Sequence, residues 1–144
     1  MRRNLIAFLL LLLAAPLLST GQTRRGDTIA DVPFSFIVEG QQLPPGRYVL
    51  SPVGETNIRI SGSGTKGVLV ATHDALRGGE NGSKLVFHRW GDVHFLSSIW
   101  TAGNTHGRAL YPSRTQRRLI QQGRESKVAE ISVVTQPDSK GNLP

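Results

Sequence analysis

The sequence predicts an all-β fold. It reads as a single antiparallel β-sandwich or barrel of about seven strands, with one short α-helix in its C-terminal half and a signal-peptide helix in front. Three observations carry this reading. Short runs rich in Val, Ile, Phe and Tyr recur between Gly/Pro turns at close spacing. Residues 84–103, KLVFHRWGDVHFLSSIWTAG, have the pattern of one long β-hairpin. Only residues 113–123 of the mature chain carry helix start and stop signals.

Residues 1–21 read as a secretory signal. Arg2 and Arg3 form its positive n-region, followed by the apolar stretch 5–18. That stretch is about 14 residues long, whereas a membrane span needs roughly 20, so the alternative of an uncleaved anchor is disfavoured. Ser19-Thr20-Gly21 supplies small residues before the cut and makes Gln22 the first mature residue. The Arg-Arg pair stands without the other twin-arginine elements. Residues 22–29 read as a flexible lead-in, 30–135 as the β domain and 136–144 as a polar tail.

In the first strand, 30–38 (ADVPFSFIV), Val32, Phe34, Phe36 and Val38 share one parity and face the core. Pro33 has no N–H for a ladder and belongs near an edge or a strand start. Pro45-Gly46, in the turn region 39–46, fits a type II turn. Further strands read at 47–51 (RYVLS), ended by Pro52-Val53-Gly54, at 56–61 (TNIRIS) with Ile58 and Ile60 inward, and at 66–73 (KGVLVATH). The loop 74–83 contains Asn81-Gly82-Ser83, formally a glycosylation sequon but read here as a turn.

In the hairpin, Gly91-Asp92 suits a two-residue type II′ turn. Trp90 then pairs with Val93, Arg89 with His94, His88 with Phe95, Phe87 with Leu96 and Leu85 with Ser98. One face carries Val86, His88, Trp90, Val93, Phe95 and Ile99, and the other Leu85, Phe87, Leu96 and Trp100, with Arg89 and His94 near the tip. Both faces are apolar, so the hairpin should be covered on both sides.

Ser113-Arg114-Thr115-Gln116 fits a capping box after Pro112, and Gly123 supplies the stop. Leu119 and Ile120 are expected to face the sheet, with Arg114, Arg117, Arg118 and Gln121 on the opposite face. Residues 127–134 (KVAEISVV) read as the last strand.

The stretches VPFSFIVEGQQLPPGRYVL (32–50) and KLVFHRWGDVHFLSSIWTAG, with a basic helix before a final strand, resemble a group of small exported bacterial proteins of uncharacterised activity, typical of acidobacterial genomes. The resemblance covers nearly the whole mature chain. Its most specific parts are LPPGRY (43–48) and the hairpin. It implies bacterial export and a β-rich fold, and it brings no catalytic residues with it.

Composition narrows the chemistry. There is no cysteine, hence no disulfide, no lipid-attachment thiol, no thiolate metal site and no Cys nucleophile. The formal charge is +7, and loss of Arg2 and Arg3 with the signal leaves +5. That balance favours anionic neighbours, and export turns the expectation away from nucleic acid.

No G-x-S-x-G elbow and no P-loop pattern occurs. The ten acidic residues fall mostly at turns, which is poor material for a pair of catalytic carboxylates. A histidine metal site needs three or four converging ligands. His88 and His94 lie on opposite hairpin faces, and no spacing brings in His73 or His106.

Two basic constellations remain. Arg89, Trp90 and His94 at the hairpin tip can hold a sugar ring or an anionic glycan if Trp90 is exposed. If Trp90 instead packs onto a loop, replacing it removes stability rather than binding. The second is the row Arg114, Arg117 and Arg118, which suits an anionic polymer, although such a row is more often the solvated face of a short helix.

The expected function is therefore a non-catalytic envelope binding or structural module. Its partner would be an anionic cell-envelope polymer, a glycan or another envelope protein. No cofactor, no nucleic acid and no transmembrane span after signal cleavage are expected. The alternatives are a lipocalin-like carrier with a hollow barrel, and a small hydrolase or metalloenzyme using His73, His88, His94 or His106.

Overall fold

The computed structural model describes residues 26–62, 64–75 and 82–135. The expected signal peptide, the first half of the lead-in, Asn81 of the sequon and the polar tail lie outside these residues. The described chain is mostly β, one multi-strand and largely antiparallel sheet with one short helix, as the sequence predicts.

The strands are β1 (Thr28–Val32), β2 (Phe36–Val38), β3 (Gln41–Leu43), β4 (Gly46–Val53), β5 (Asn57–Gly62), β6 (Val68–Asp74), β7 (Lys84–Trp90), β8 (Val93–Trp100), β9 (Arg108–Leu110), β10 (Lys127–Ser132) and β11 (Val134–Thr135), with α1 (Arg114–Gln121) between β9 and β10. The lead-in is shorter than expected. β1 already starts at Thr28, where Asp27 and Thr28 are buried.

Hydrogen bonding runs along the path β10-β7-β8-β9-β6-β5-β4-β1-β11. Its two ends are consecutive in sequence, with Val133 alone between them. The Val133 N–H donates to the Ser83 carbonyl at 2.9 Å, and Val134 then pairs with Ile29. One bent final strand therefore joins both ends of the path. A single core cluster draws on strands all along it, including Ala30, Leu50, Ile60, Val70, Phe87 and Leu96. Phe36 meets Tyr48 and Phe87 edge to face at 5.1 and 5.5 Å, so aromatic rings fill this interior.

Several sequence expectations are corrected. The predicted first strand is two strands. The chain breaks around Pro33, so β1 pairs with β4 while β2 pairs with β3 and runs parallel to β8. The expected parity survives the break, because Val32, Phe36 and Val38 are buried and Phe34 packs against the core. Pro52 and Val53 do not end β4. They pair with Ile58 and Asn57, and the chain turns at Gly54 instead.

Pro45-Gly46 is not a type II turn, which needs a positive φ at its glycine. Gly46 lacks one and pairs in the ladder with Val32. The LPPGRY segment is held another way. The Tyr48 hydroxyl donates to the Pro44 carbonyl while its ring lies in the core, an arrangement like the tyrosine corner of β-sandwiches.

The hairpin pairs as predicted from Trp90–Val93 to Phe87–Leu96. Gly91 has φ 61 and Asp92 does not have a positive φ, as a type II′ turn requires. Beyond Leu96 the register shifts. Val86 pairs with Ser98 and Leu85 with Ile99, leaving Ser97 as the extra residue of a β-bulge. The bulge moves Ile99 onto the core face with Leu85, Phe87 and Leu96, and moves Trp100 to the other face.

The helix is capped as read from the sequence. Ser113 Oγ accepts from the Gln116 N–H, and Gln116 Oε1 accepts from the Ser113 N–H. At the other end the Gly123 N–H bonds the Ile120 carbonyl and the Arg124 N–H the Leu119 carbonyl, a Schellman closure with Gly123 at φ 67. Leu119 is half-buried but Ile120 is 54 % exposed. The side chain that the helix buries is Gln116, held down by its own cap.

Candidate functional site

The edge of β8 changes partner along its length. It pairs with β2 at His94 and Phe95, then with β9 at Ser98 and Ile99. β2 runs parallel to β8 and β9 antiparallel to it, so the two short strands run toward each other and both turn away near Leu96. β2 leaves through the two-residue turn Glu39-Gly40, and β9 leaves through Tyr111 and Pro112 into the helix cap. A groove of about 460 Å³ opens where they part.

Its floor is Val38, Leu96 and Leu110, at 2, 3 and 7 % exposure. Side chains that are nearly fully covered offer almost no apolar surface to a ligand. The accessible lining is mixed: the half-buried Ile37 and the exposed Glu39 on one rim, and Tyr111, Pro112, Arg114 and Arg117 on the other. Tyr111 is 60 % exposed and contacts the His73 ring at 4.6 Å.

Neither arginine of the groove is ion-paired to a described residue. Arg47 pairs with Asp31 and Lys84 with Glu130, whereas Arg114 and Arg117 have no carboxylate partner among the described residues. Arg118 does not line the groove, although it shares the helix face expected from the sequence. Glu39 is the one described non-glycine residue with a positive φ, 50. With Gly40 at φ 76 it makes a type I′ turn, at a position where Asn or Gly is the usual choice.

The hairpin tip does not form the expected patch. Trp90 is 8 % exposed. Its indole N–H donates to the Arg124 carbonyl at 3.1 Å and its ring meets Phe95 edge to face at 5.6 Å. The segment after the helix lies over it, so the ring face that a sugar would need is covered. Arg89 and His94 are cross-strand partners on the opposite face.

His94 is stacked on Phe34, with ring centroids 3.9 Å apart. Burial first, then the Arg89 guanidinium, push its imidazole below the ordinary histidine range, against the pull of a hydrogen bond to the Asp92 backbone and of the Asp92 charge. Its Nδ1 is buried without a hydrogen-bond partner.

The four histidines stay apart. His73 touches Tyr111, His88 Nδ1 sits 3.2 Å from Ser126 Oγ, and His106 pairs with Thr105 in an exposed loop. Among the described residues no three His, Asp or Glu side chains group to hold a metal ion. Ser35, Asp92 and His94 line one recess of about 90 Å³, but the orphan Nδ1 of His94 accepts no hydroxyl from Ser35.

Sequence reading identified Arg114 and Arg117 but missed Tyr111 and Glu39. An exposed Tyr directly before a Pro and a helix cap, and a Glu-Gly pair between two short apolar runs, were the available signals. No protein-family model, curated protein or solved structure matches the chain. No helix among the described residues is long and apolar enough to cross a membrane.

Proposed function

We propose that the protein is an exported, non-catalytic binding module that takes an anionic ligand in the groove between the β2–β3 turn and the start of α1. One observation carries this reading. Arg114 and Arg117 face a groove of about 460 Å³ with no carboxylate paired to either among the described residues. Unpaired guanidinium groups beside a concavity are suited to carboxylate, sulfate or phosphate.

The carrier alternative needs a hollow interior, and here aromatic rings pack against one another inside the sheet. The hydrolase alternative needs a nucleophile bonded to a base that a third group orients. Two histidines do meet a hydroxyl, His88 at Ser126 (3.2 Å) and His106 at Thr105 (3.0 Å), but among the described residues no carboxylate is bonded to either ring, and neither pair lies on the groove.

The reading is tested by titrating the mature protein with dextran sulfate, a generic polyanion, at low and moderate salt. Binding that weakens with salt and is abolished in Arg114→Glu/Arg117→Glu supports it. Binding that is unchanged in that double variant refutes the groove as the site.

A further inference from the structure

We infer that the groove is a subsite for a uronic acid residue of an acidic polysaccharide, with Tyr111 as the stacking platform for the sugar ring. This rests on the reading of the groove as an anion site and specifies its ligand.

Four features of the groove discriminate among anions. Val38, Leu96 and Leu110 are covered, and the apolar side chains left at the rims are Ile37 and Pro112, too little for an acyl chain to lie along. Tyr111 is the exposed aromatic of the rim. One side of its ring contacts His73, and at 60 % exposure the residue keeps surface for a second contact. Aromatic rings hold pyranose faces through their C–H groups, which a phosphate or sulfate chain lacks. Arg114 and Arg117, one helical turn apart, match a carboxylate on that ring.

Glu39 completes the argument. Its carboxylate lines the same groove without an ion pair to either arginine among the described residues. A carboxylate opposes a pure polyanion. It accepts hydrogen bonds from hydroxyl groups, and a uronate carries both hydroxyls and a carboxylate. The capping box takes the Ser113 and Gln116 N–H groups, and the site is assigned to the two guanidinium groups rather than to the helix N-terminus.

The probes are tetragalacturonate, a neutral maltotetraose and inorganic polyphosphate, each titrated calorimetrically into the mature protein. Tetragalacturonate should bind and maltotetraose should not. Tyr111→Ala should weaken tetragalacturonate about tenfold, the factor that one lost stacking contact of this kind supplies. Tyr111→Phe, which keeps the ring, should bind as wild type. Arg114→Ala or Arg117→Ala should each cost about tenfold or more.

Tyr111 is exposed and outside the core, so loss of fold does not confound its variants. Equal binding of polyphosphate and tetragalacturonate, with no effect of Tyr111→Ala, overturns the uronate assignment and leaves the anion-module reading standing. No binding of either anion overturns both.

Discussion

Replacing Trp90 separates a packed ring from a binding ring. The residue is 8 % exposed, with its N–H bonded to the Arg124 carbonyl and its ring against Phe95. A buried aromatic covers about 200 Å², which at about 25 cal/mol per Å² gives an upper bound of ~5 kcal/mol for the burial. Aromatic-to-alanine changes in cores cost about 3–5 kcal/mol. Trp90→Ala should therefore lower stability by ~3–4 kcal/mol, a large part of the total of a domain this size.

Trp90→Phe keeps most of the area and loses the hydrogen bond, for ~1–2 kcal/mol. In urea titrations followed by far-UV circular dichroism, with a slope of about 1.5–2 kcal/mol per M, the midpoint should fall by about 2 M for Ala and under 1 M for Phe. A Trp90→Ala midpoint within about 0.3 M of wild type would show that the ring is not held by Phe95 and the 124–126 segment, and would return Trp90 to the list of contact residues.

Tyr48→Phe removes the hydroxyl that closes 43–48 onto the Pro44 carbonyl, and should cost ~1–2 kcal/mol in the same titration. Gly107→Ala places a Cβ 2.6 Å from the Trp100 ring, so it should displace the indole, shift its fluorescence and lower stability by ~1–3 kcal/mol. Folding stability should also depend on His94. Its folded pKa lies below the unfolded value of about 6.5, so the unfolded chain binds more protons as the solution is acidified. This contribution is full above that pH and is lost as pH falls through and below it. Midpoints measured from pH 8 to 5 should decline, and His94→Leu should flatten the decline.

Local features were legible in the sequence. The capping box, the Gly123 stop and the Gly91-Asp92 turn each depend on a few adjacent residues, and each is found as read. The inward parity of Val32, Phe36, Ile58 and Ile60 follows from period-two alternation. The bulge was partly legible. Residues 95–100 read FLSSIW, two apolar, two polar, two apolar, which no strict alternation accommodates. One extra residue puts Leu96 and Ile99 on a single face. What failed was non-local. Nothing near Trp90 states that residues 124–126 will fold over it, and nothing in 30–38 states that its two halves will pair with different strands. The expectation of an exposed Trp90 ring at the tip failed for the same reason: exposure is decided by the segment that covers a residue.

Irregular backbone gathers around the groove. The bulge of β8 falls beside Leu96 on its floor, and the strained Glu39 sits on its rim. Bulges and non-glycine residues at positive φ are features that a fold keeps where they serve a site. This makes Glu39 a test of whether strain is retained for binding.

An L-residue in the left-handed region costs about 1–2 kcal/mol, and a glycine there gives back about 0.5–1 kcal/mol in unfolded-state entropy. Glu39→Gly should thus raise stability by up to ~1 kcal/mol, or a few degrees in melting temperature. The same change removes the carboxylate, so it should weaken tetragalacturonate while strengthening polyphosphate. A melting temperature that falls would mean that Glu39 is held by contacts rather than strained. A tetragalacturonate affinity that stays unchanged would mean that the carboxylate takes no part in recognition, and that the turn owes its sequence to β2–β3 geometry alone.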